Sequence, residues 1–217
     1  MSRKKNRLTG VDALNEAFDA VDHQPLLDHL GVDIQRDLLV LALTHRSFAN
    51  ENGMLPTNNF QESQFKDAEM ISGEWMTEKY LTRKDPCHHC PIGCGRYVKL
   101  NDWEGGGPEY ETIWCYGSDC GVNDFEKIIL ANTICNEYGL DTIGAGATVA
   151  AAMELYQRGY LKDEDLDGVS LKWGDADAIV EWTRRMGAGE GLGARMADGS
   201  YRLCDSFGVP ELSMTVK

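Results

Sequence analysis

No apolar run in this 217-residue chain approaches the roughly 20 residues that a membrane-spanning helix needs, so a membrane protein is not expected. Nor does the opening MSRKKNRLTG read as a secretory signal: it is basic, but no apolar stretch follows it. Together these absences predict a cytoplasmic protein. Positive charge is also scarce. Lys and Arg number 21 against 35 Asp and Glu, a formal net charge of -14. Affinity for a phosphate backbone needs clustered cations, so general nucleic-acid binding is not expected. The deficit is uneven: residues 1–55 carry 6 basic and 8 acidic side chains, residues 56–217 carry 15 and 27. Internal repeats are missing, and so are low-complexity tracts beyond a few glycine clusters. What remains, 42% hydrophobic residues in 217, suffices for one good core or two small ones.

The first 55 residues read as helical. Val11, Leu14, Ala17, Phe18 and Val21 recur at helical spacing, and Pro25 opens a short helix through Leu26, Leu27 and Leu30 with Gly31 as its stop. A third helix is predicted from Ile34 to Phe48. The turn-rich stretch NENGMLPTNN then sets a boundary near Leu55–Pro56. Beyond it the pattern predicts a helix over Ala68–Leu81, a loop over Arg83–Gly95, a short strand over Tyr97–Leu100 and a glycine-rich loop over Asp102–Pro108. Helices follow at Asp124–Tyr138, where Asn123 or Asp124 can cap, and at Thr142–Tyr156, where small residues suit close packing. A charged turn at Lys162–Asp167, a helix over Asp175–Met186 and another from about Leu192 complete a mainly α chain.

Seven cysteines, an odd number, point to metal ligands or free thiols before a disulfide framework. Cys87, Cys90 and Cys94 form the specific signal, in Cys87-His88-His89-Cys90-Pro91-Ile92-Gly93-Cys94-Gly95. Three thiolates at this spacing on a tight loop can each ligate one iron of an iron–sulfur cluster, and Pro91, Gly93 and Gly95 let backbone N–H groups approach its sulfurs. Zinc held by cysteines with His88 or His89 is the competing metal reading, and free thiols the third. One local ligand is missing for a cluster. Cys115, Cys120, Cys135 and Cys204 share no ligand spacing; Cys135 reads as core and Cys204 as a conceivable fourth ligand.

Glu109 and Glu111 follow a glycine loop and are either a solvated edge or, if burial raises one pKa, an acid–base pair. Asn136-Glu137-Tyr138-Gly139-Leu140-Asp141 ends a helix: Gly139 suits a left-handed cap, and Asp141, held rigidly, could bind a heterocyclic amine. Gly187–Gly193 imitates a dinucleotide loop, but no strand precedes it and no βαβ unit surrounds it. The five tryptophans are scattered and read as packing.

Several of these pieces occur together in one family. LPTNNFQESQF, ISGEWMTEKYL, CHHCPIGCGR, GPEYETIW, CNEYGLDTI, AMELYQRG and LKWGDADAI, in that order, make residues 56–217 resemble the helical second domain of tungsten-containing aldehyde ferredoxin oxidoreductases. The resemblance implies a tungsten or molybdenum bis-pterin that oxidises an aldehyde to a carboxylic acid, with electrons passing through a [4Fe–4S] cluster to ferredoxin. It implies that Cys87, Cys90 and Cys94 ligate that cluster, that Asn136, Gly139, Leu140 and Asp141 belong to a pterin-binding motif, and that Glu111 lies close to the metal where it can move a proton. The family motif usually opens with Asp where this chain has Asn136. The family's β-rich first domain, its third domain, the second pterin motif and the fourth cluster cysteine find no match. Aldehyde oxidation by this chain alone is therefore not expected, and uncovered apolar faces predict self-association.

Residues 1–55 resemble something else. RLTGVDALNEAFDAV and LLVLALTHRSFANENG are similar to the start of bacterial ribonuclease III, an endoribonuclease acting on double-stranded RNA. The carboxylate-rich helix that binds magnesium in that family should follow soon after Leu55, where the oxidoreductase pattern begins instead, so RNA cleavage is not expected. The simplest expectation is a chimeric chain joined near Met54-Leu55-Pro56; a non-enzymatic zinc-binding module is a further alternative.

Overall fold

A computed structural model describes residues 15–16, 18–30, 36, 39, 55–89 and 93–214. The chain divides into two compact units, Met1–Met54 and Leu55–Lys217. In the first, α1 spans Gln24–Leu30 with Pro25 in its opening turn, where a missing N–H costs nothing. Asp22 accepts the Gln24 N–H at 3.0 Å, and Arg36 pairs with Asp19 at 2.6 Å. The expected Gly31 cap and most of the Ile34–Phe48 helix lie outside the described residues.

The second unit is mainly α with a small sheet, in agreement with the predicted class. Its opening differs from the single helix expected over Ala68–Leu81. A 3-10 turn at Ala68–Ile71 stops at Ser72, whose extended backbone and hydroxyl restart the chain as α2, Gly73–Lys79; the Ser72 Oγ accepts the Trp75 N–H at 3.1 Å. Leu81 then begins β1 (Leu81–Lys84), which pairs antiparallel with β2 (Arg96–Leu100), itself paired with β3 (Trp103–Gly106). Asn101 at φ 54 makes the β2–β3 turn, so the expected glycine loop is a strand for half its length.

The helical core follows as α3 (Tyr110–Tyr116), α4 (Phe125–Tyr138), α5 (Thr142–Gln157), α6 (Ala176–Ala188), α7 (Gly191–Met196) and α8 (Ser200–Asp205). Of the two capping candidates, Asp124 caps α4, accepting the Glu126 and Lys127 N–H groups. Asp141 caps α5 and Asp175 caps α6. α5 is buried all round from Ala145 to Leu155, which is why it carries small apolar residues on every face. α3, α6 and α8 pack around it, and α4 packs on α6. Gly187–Gly193, far from a dinucleotide loop, ends α6 at left-handed Gly189 and starts α7; a Cβ at Gly193 would meet the Arg185 backbone at 2.5 Å.

At Gly146 the helices touch: a Cβ there would meet Cys115 Cβ of α3 at 2.7 Å. Alanine improves helix propensity by about 1 kcal/mol, but this overlap outweighs it. Gly146→Ala is expected to lower stability by about 1–3 kcal/mol, seen as a lower urea midpoint; an unchanged or higher midpoint would show that α3 yields at little cost.

Candidate functional site

The cysteine loop is carried by the β1–β2 hairpin. Asp85 N–H donates to Gly95 O at 3.0 Å and closes its base. A Cβ at Gly95 would lie 2.2 Å from Asp85 O, so only glycine permits that closure. Gly93 turns the chain at φ 58. Arg96, the first residue of β2, donates from Nη1 to the carbonyls of Gly93, Cys94 and Gly95 at 2.8, 2.6 and 3.1 Å. One guanidinium thus gathers the end of the loop. Cys87 and Cys94 are free and exposed. Cys90 lies outside the described residues, and among the described ones no three His, Cys, Asp or Glu side chains converge on a metal position. Exposed thiols on a pinned, glycine-rich turn are a donor set that fits an iron–sulfur cluster.

The remaining cysteines are elsewhere. Cys115, Cys120, Cys135 and Cys204 are buried in the helical core. Burial pushes the Cys135 and Cys204 thiols up to about 11, so neither is poised as a thiolate. Cys204, considered above as a fourth ligand, is fully buried on α8 and is corrected to a packing residue.

Glu111 is the second residue of α3, a helix that residue periodicity did not announce. The Trp114 Nε1–H, one turn on, donates to Glu111 Oε2 at 2.5 Å. The neighbouring Thr112 hydroxyl bonds that of Thr142 at 2.8 Å, tying α3 to the first turn of α5. Asp141, which caps that turn by accepting the Gly144 N–H at 2.6 Å, is therefore brought into the neighbourhood of Glu111. Leu140 and Asp141 line a cleft of about 160 Å³ with Gly144, Thr148, Met196 and the Asp198–Ser200 turn. Gly139 caps α4 at φ 71 as expected of a left-handed stop, while Asn136 is exposed on the last turn of α4; neither lines the cleft. The cleft is smaller than the roughly 300–1,000 Å³ of a complete small-molecule site. The Asp198–Ser200 turn carried no signal in the sequence, because only the packing of α7 and α8 on α5 brings it there.

Beneath α3 lies a turn under strain. Asn58, Asn59 and Phe60 take φ 53, 53 and 61 in succession. Asparagine tolerates this region, but phenylalanine does so at a cost of about 1–3 kcal/mol. The Asn59 amide donates to Glu154 Oε2 and to Leu212 O at 2.5 and 2.8 Å, and Arg158 completes the Glu154 pair at 2.6 Å. Asp119, fully buried nearby, is pushed up to about 7 by burial, against the N–H groups of Phe60 and Asn59 and with added repulsion from Glu154.

Comparison with known proteins decides the family. A family model described as aldehyde ferredoxin oxidoreductase, domains 2 and 3, matches residues 43–217. The chain belongs to this aldehyde ferredoxin oxidoreductase family. Tungsten-containing aldehyde ferredoxin oxidoreductases of Pyrococcus furiosus and Thermococcus kodakarensis are each 49% identical to it over 170 residues, 77% of this chain. The chain spans 28% of the length of these two relatives. A solved structure, the active site complex BamBC of benzoyl coenzyme A reductase with 1,5 dienoyl-CoA, has the same fold, with a TM-score of 0.58 and 22% identity over 72% of this chain and 24% of that one. The start of the chain has a different likeness: it is 98% identical over 58 residues to ribonuclease 3 of Corynebacterium glutamicum, 27% of this chain and 24% of that relative. Among the described residues no helix of this oxidoreductase family member is long and apolar enough to cross a membrane.

The raised Asp119 carboxyl gives a signed pH dependence. Folded, it keeps its proton over a window, from its usual 3.8 to about 7, in which the unfolded chain has lost it. Its contribution to stability is thus present below about pH 4 and lost as pH rises toward 7. Asp119→Asn removes the titration, so it should gain on the order of 2–4 kcal/mol on the parent chain between about pH 4 and pH 8 in urea unfolding. A difference that stays constant with pH would contradict this.

Proposed function

We propose that residues 56–217 serve as the cluster-bearing, cofactor-facing part of an oxidoreductase that converts aldehydes to carboxylic acids and passes electrons to ferredoxin. Membership of the family and the pinned thiol loop next to Arg96 carry this reading. Cys87, Cys90 and Cys94 would hold a [4Fe–4S] cluster, whose chemistry when bound is one-electron transfer. Leu140 and Asp141, with Gly139 and Asn136 shaping the helix end that presents them, would hold one edge of a tungsten or molybdenum bis-pterin. Asp141 is already oriented by its cap bond and can accept from a ring amine. Glu111 would take the proton released when an aldehyde hydrate is oxidised, a role that suits a carboxylate fixed by a hydrogen bond. The matched relatives are much longer than the region shared with them, so turnover is expected only with the rest of such a protein supplied.

Residues 1–55 have a separate origin on this reading. Near-identity to a bacterial ribonuclease 3 in one segment and 49% identity to archaeal oxidoreductases in the other support a join near Met54–Leu55. Sequencing the DNA on both sides of the reading frame tests this: an uninterrupted oxidoreductase frame continuing upstream of Leu55 in the source DNA supports the join, and an identical junction in independent isolates refutes an artefact.

Anaerobic reconstitution with iron and sulfide should give the broad visible absorbance of a cluster, with Cys87→Ser and Cys94→Ser each losing most of it. A protein that instead retains one zinc and takes up no iron sinks the cluster and supports the zinc module.

A further inference from the structure

Phe60 stands where its chemistry does not require it. It is a bulky residue in a left-handed conformation, 46% exposed, and so neither backbone preference nor burial accounts for its position. Its ring meets that of Trp114 edge-on, with centroids 5.7 Å apart and planes at 90°. This is a favoured aromatic geometry, the positive edge of one ring against the face of the other. Trp114 in turn donates its indole N–H to Glu111.

We propose that Trp114 and Phe60 are positioning residues for the Glu111 carboxylate, with the strained Asn58–Phe60 turn acting as the rigid arm that holds Phe60 against the indole. The proposal deepens the reading of Glu111 as the proton-accepting group and rests on it for its functional meaning. The arm is fixed from two sides. Asn58 and Asn59 N–H groups donate to the carbonyls of Ser118 and Asp119 at 3.1 and 2.9 Å, in the segment that directly follows α3. The Asn59 side chain reaches into the core to Glu154 and Leu212. Thr57 and Glu62 close the base of the turn by exchanging backbone bonds at 2.9 and 3.1 Å. The turn and the end of α3 therefore share one frame, and the backbone at Phe60 cannot relax without breaking bonds to it.

An indole pressed by this arm keeps one rotamer. Its N–H then holds Glu111 Oε2 in one place relative to α3. A neutral donor does this without bringing a formal positive charge to the group, as an arginine would.

The test reads the contacts directly and needs no cofactor. In ¹H–¹⁵N spectra of the full chain, the five tryptophans give indole signals, and Trp114→Phe identifies that of Trp114. Its indole proton should exchange with solvent about tenfold faster in Glu111→Ala than in the parent, as expected for loss of one hydrogen bond, whereas Glu111→Gln, which still offers a carbonyl oxygen, keeps the protection. Phe60→Ala should speed exchange several-fold and shift the signal, and Phe60→Tyr should restore both. The other four indole signals report whether the fold survives; if Phe60→Ala disturbs them, Phe60→Leu, which keeps bulk without the aromatic edge, is read instead. Unchanged Trp114 exchange in Glu111→Ala, or in a folded Phe60 variant, overturns the proposal. Failure of Glu111 as a proton acceptor would show separately, as undiminished aldehyde oxidation by a reconstituted full-length relative carrying the equivalent of Glu111→Gln.

Discussion

α3 and α5 can lie as close as they do because residue 146 has no side chain. With Cys115 Cβ 2.7 Å from where a Gly146 Cβ would stand, any larger residue pushes the helices apart. The remaining site geometry depends on this approach. It lets Thr112 and Thr142 bond across the helix pair, and it brings the Asp141 cap at the head of α5 near the start of α3, where Glu111 sits. It also makes α5 a buried rod on which α6 and α8 can close the cleft beside Leu140.

Polar groups inside this apolar frame are there for connection. The Asn59 amide and Glu154 tie the segment before α2 to the last turn of α5, and Arg158 neutralises the buried carboxylate. Burying such groups is costly unless each finds partners, so their presence pins one arrangement of the Asn58–Phe60 turn. Asp119 is less well served: burial holds its carboxyl up at about 7. The thiol loop follows the opposite logic. Its Cys87 and Cys94 are exposed, and its Gly93–Gly95 end is held by one arginine and a glycine closure at the base of a hairpin.

Much of this was legible along the chain. The caps at Asp124 and Gly139 were readable because a cap is a local event, decided by one residue and its nearest backbone groups. The break at Ser72 was less so, because Met70, Ile71 and Trp75 keep helical spacing across it and the serine acts through its backbone angle. β3 was hidden in glycines that look like loop until β2 pairs with them. The cysteine loop was recognisable from spacing, whereas Arg96 was not, since nothing in a single arginine reveals that it will gather three carbonyls.

By itself the amino-acid sequence determined the mainly α class, the two unrelated segments and the residue types able to ligate iron or move a proton. These are properties of local pattern and composition. Tertiary structure alone decided that Cys204 is core, that Asp198–Ser200 face Asp141, and that Phe60 meets Trp114 beside Glu111. Those contacts join residues far apart in the chain, and they form only when α3, α5 and α8 pack. Their geometry is set by which small residues let helices approach, and periodicity does not record that.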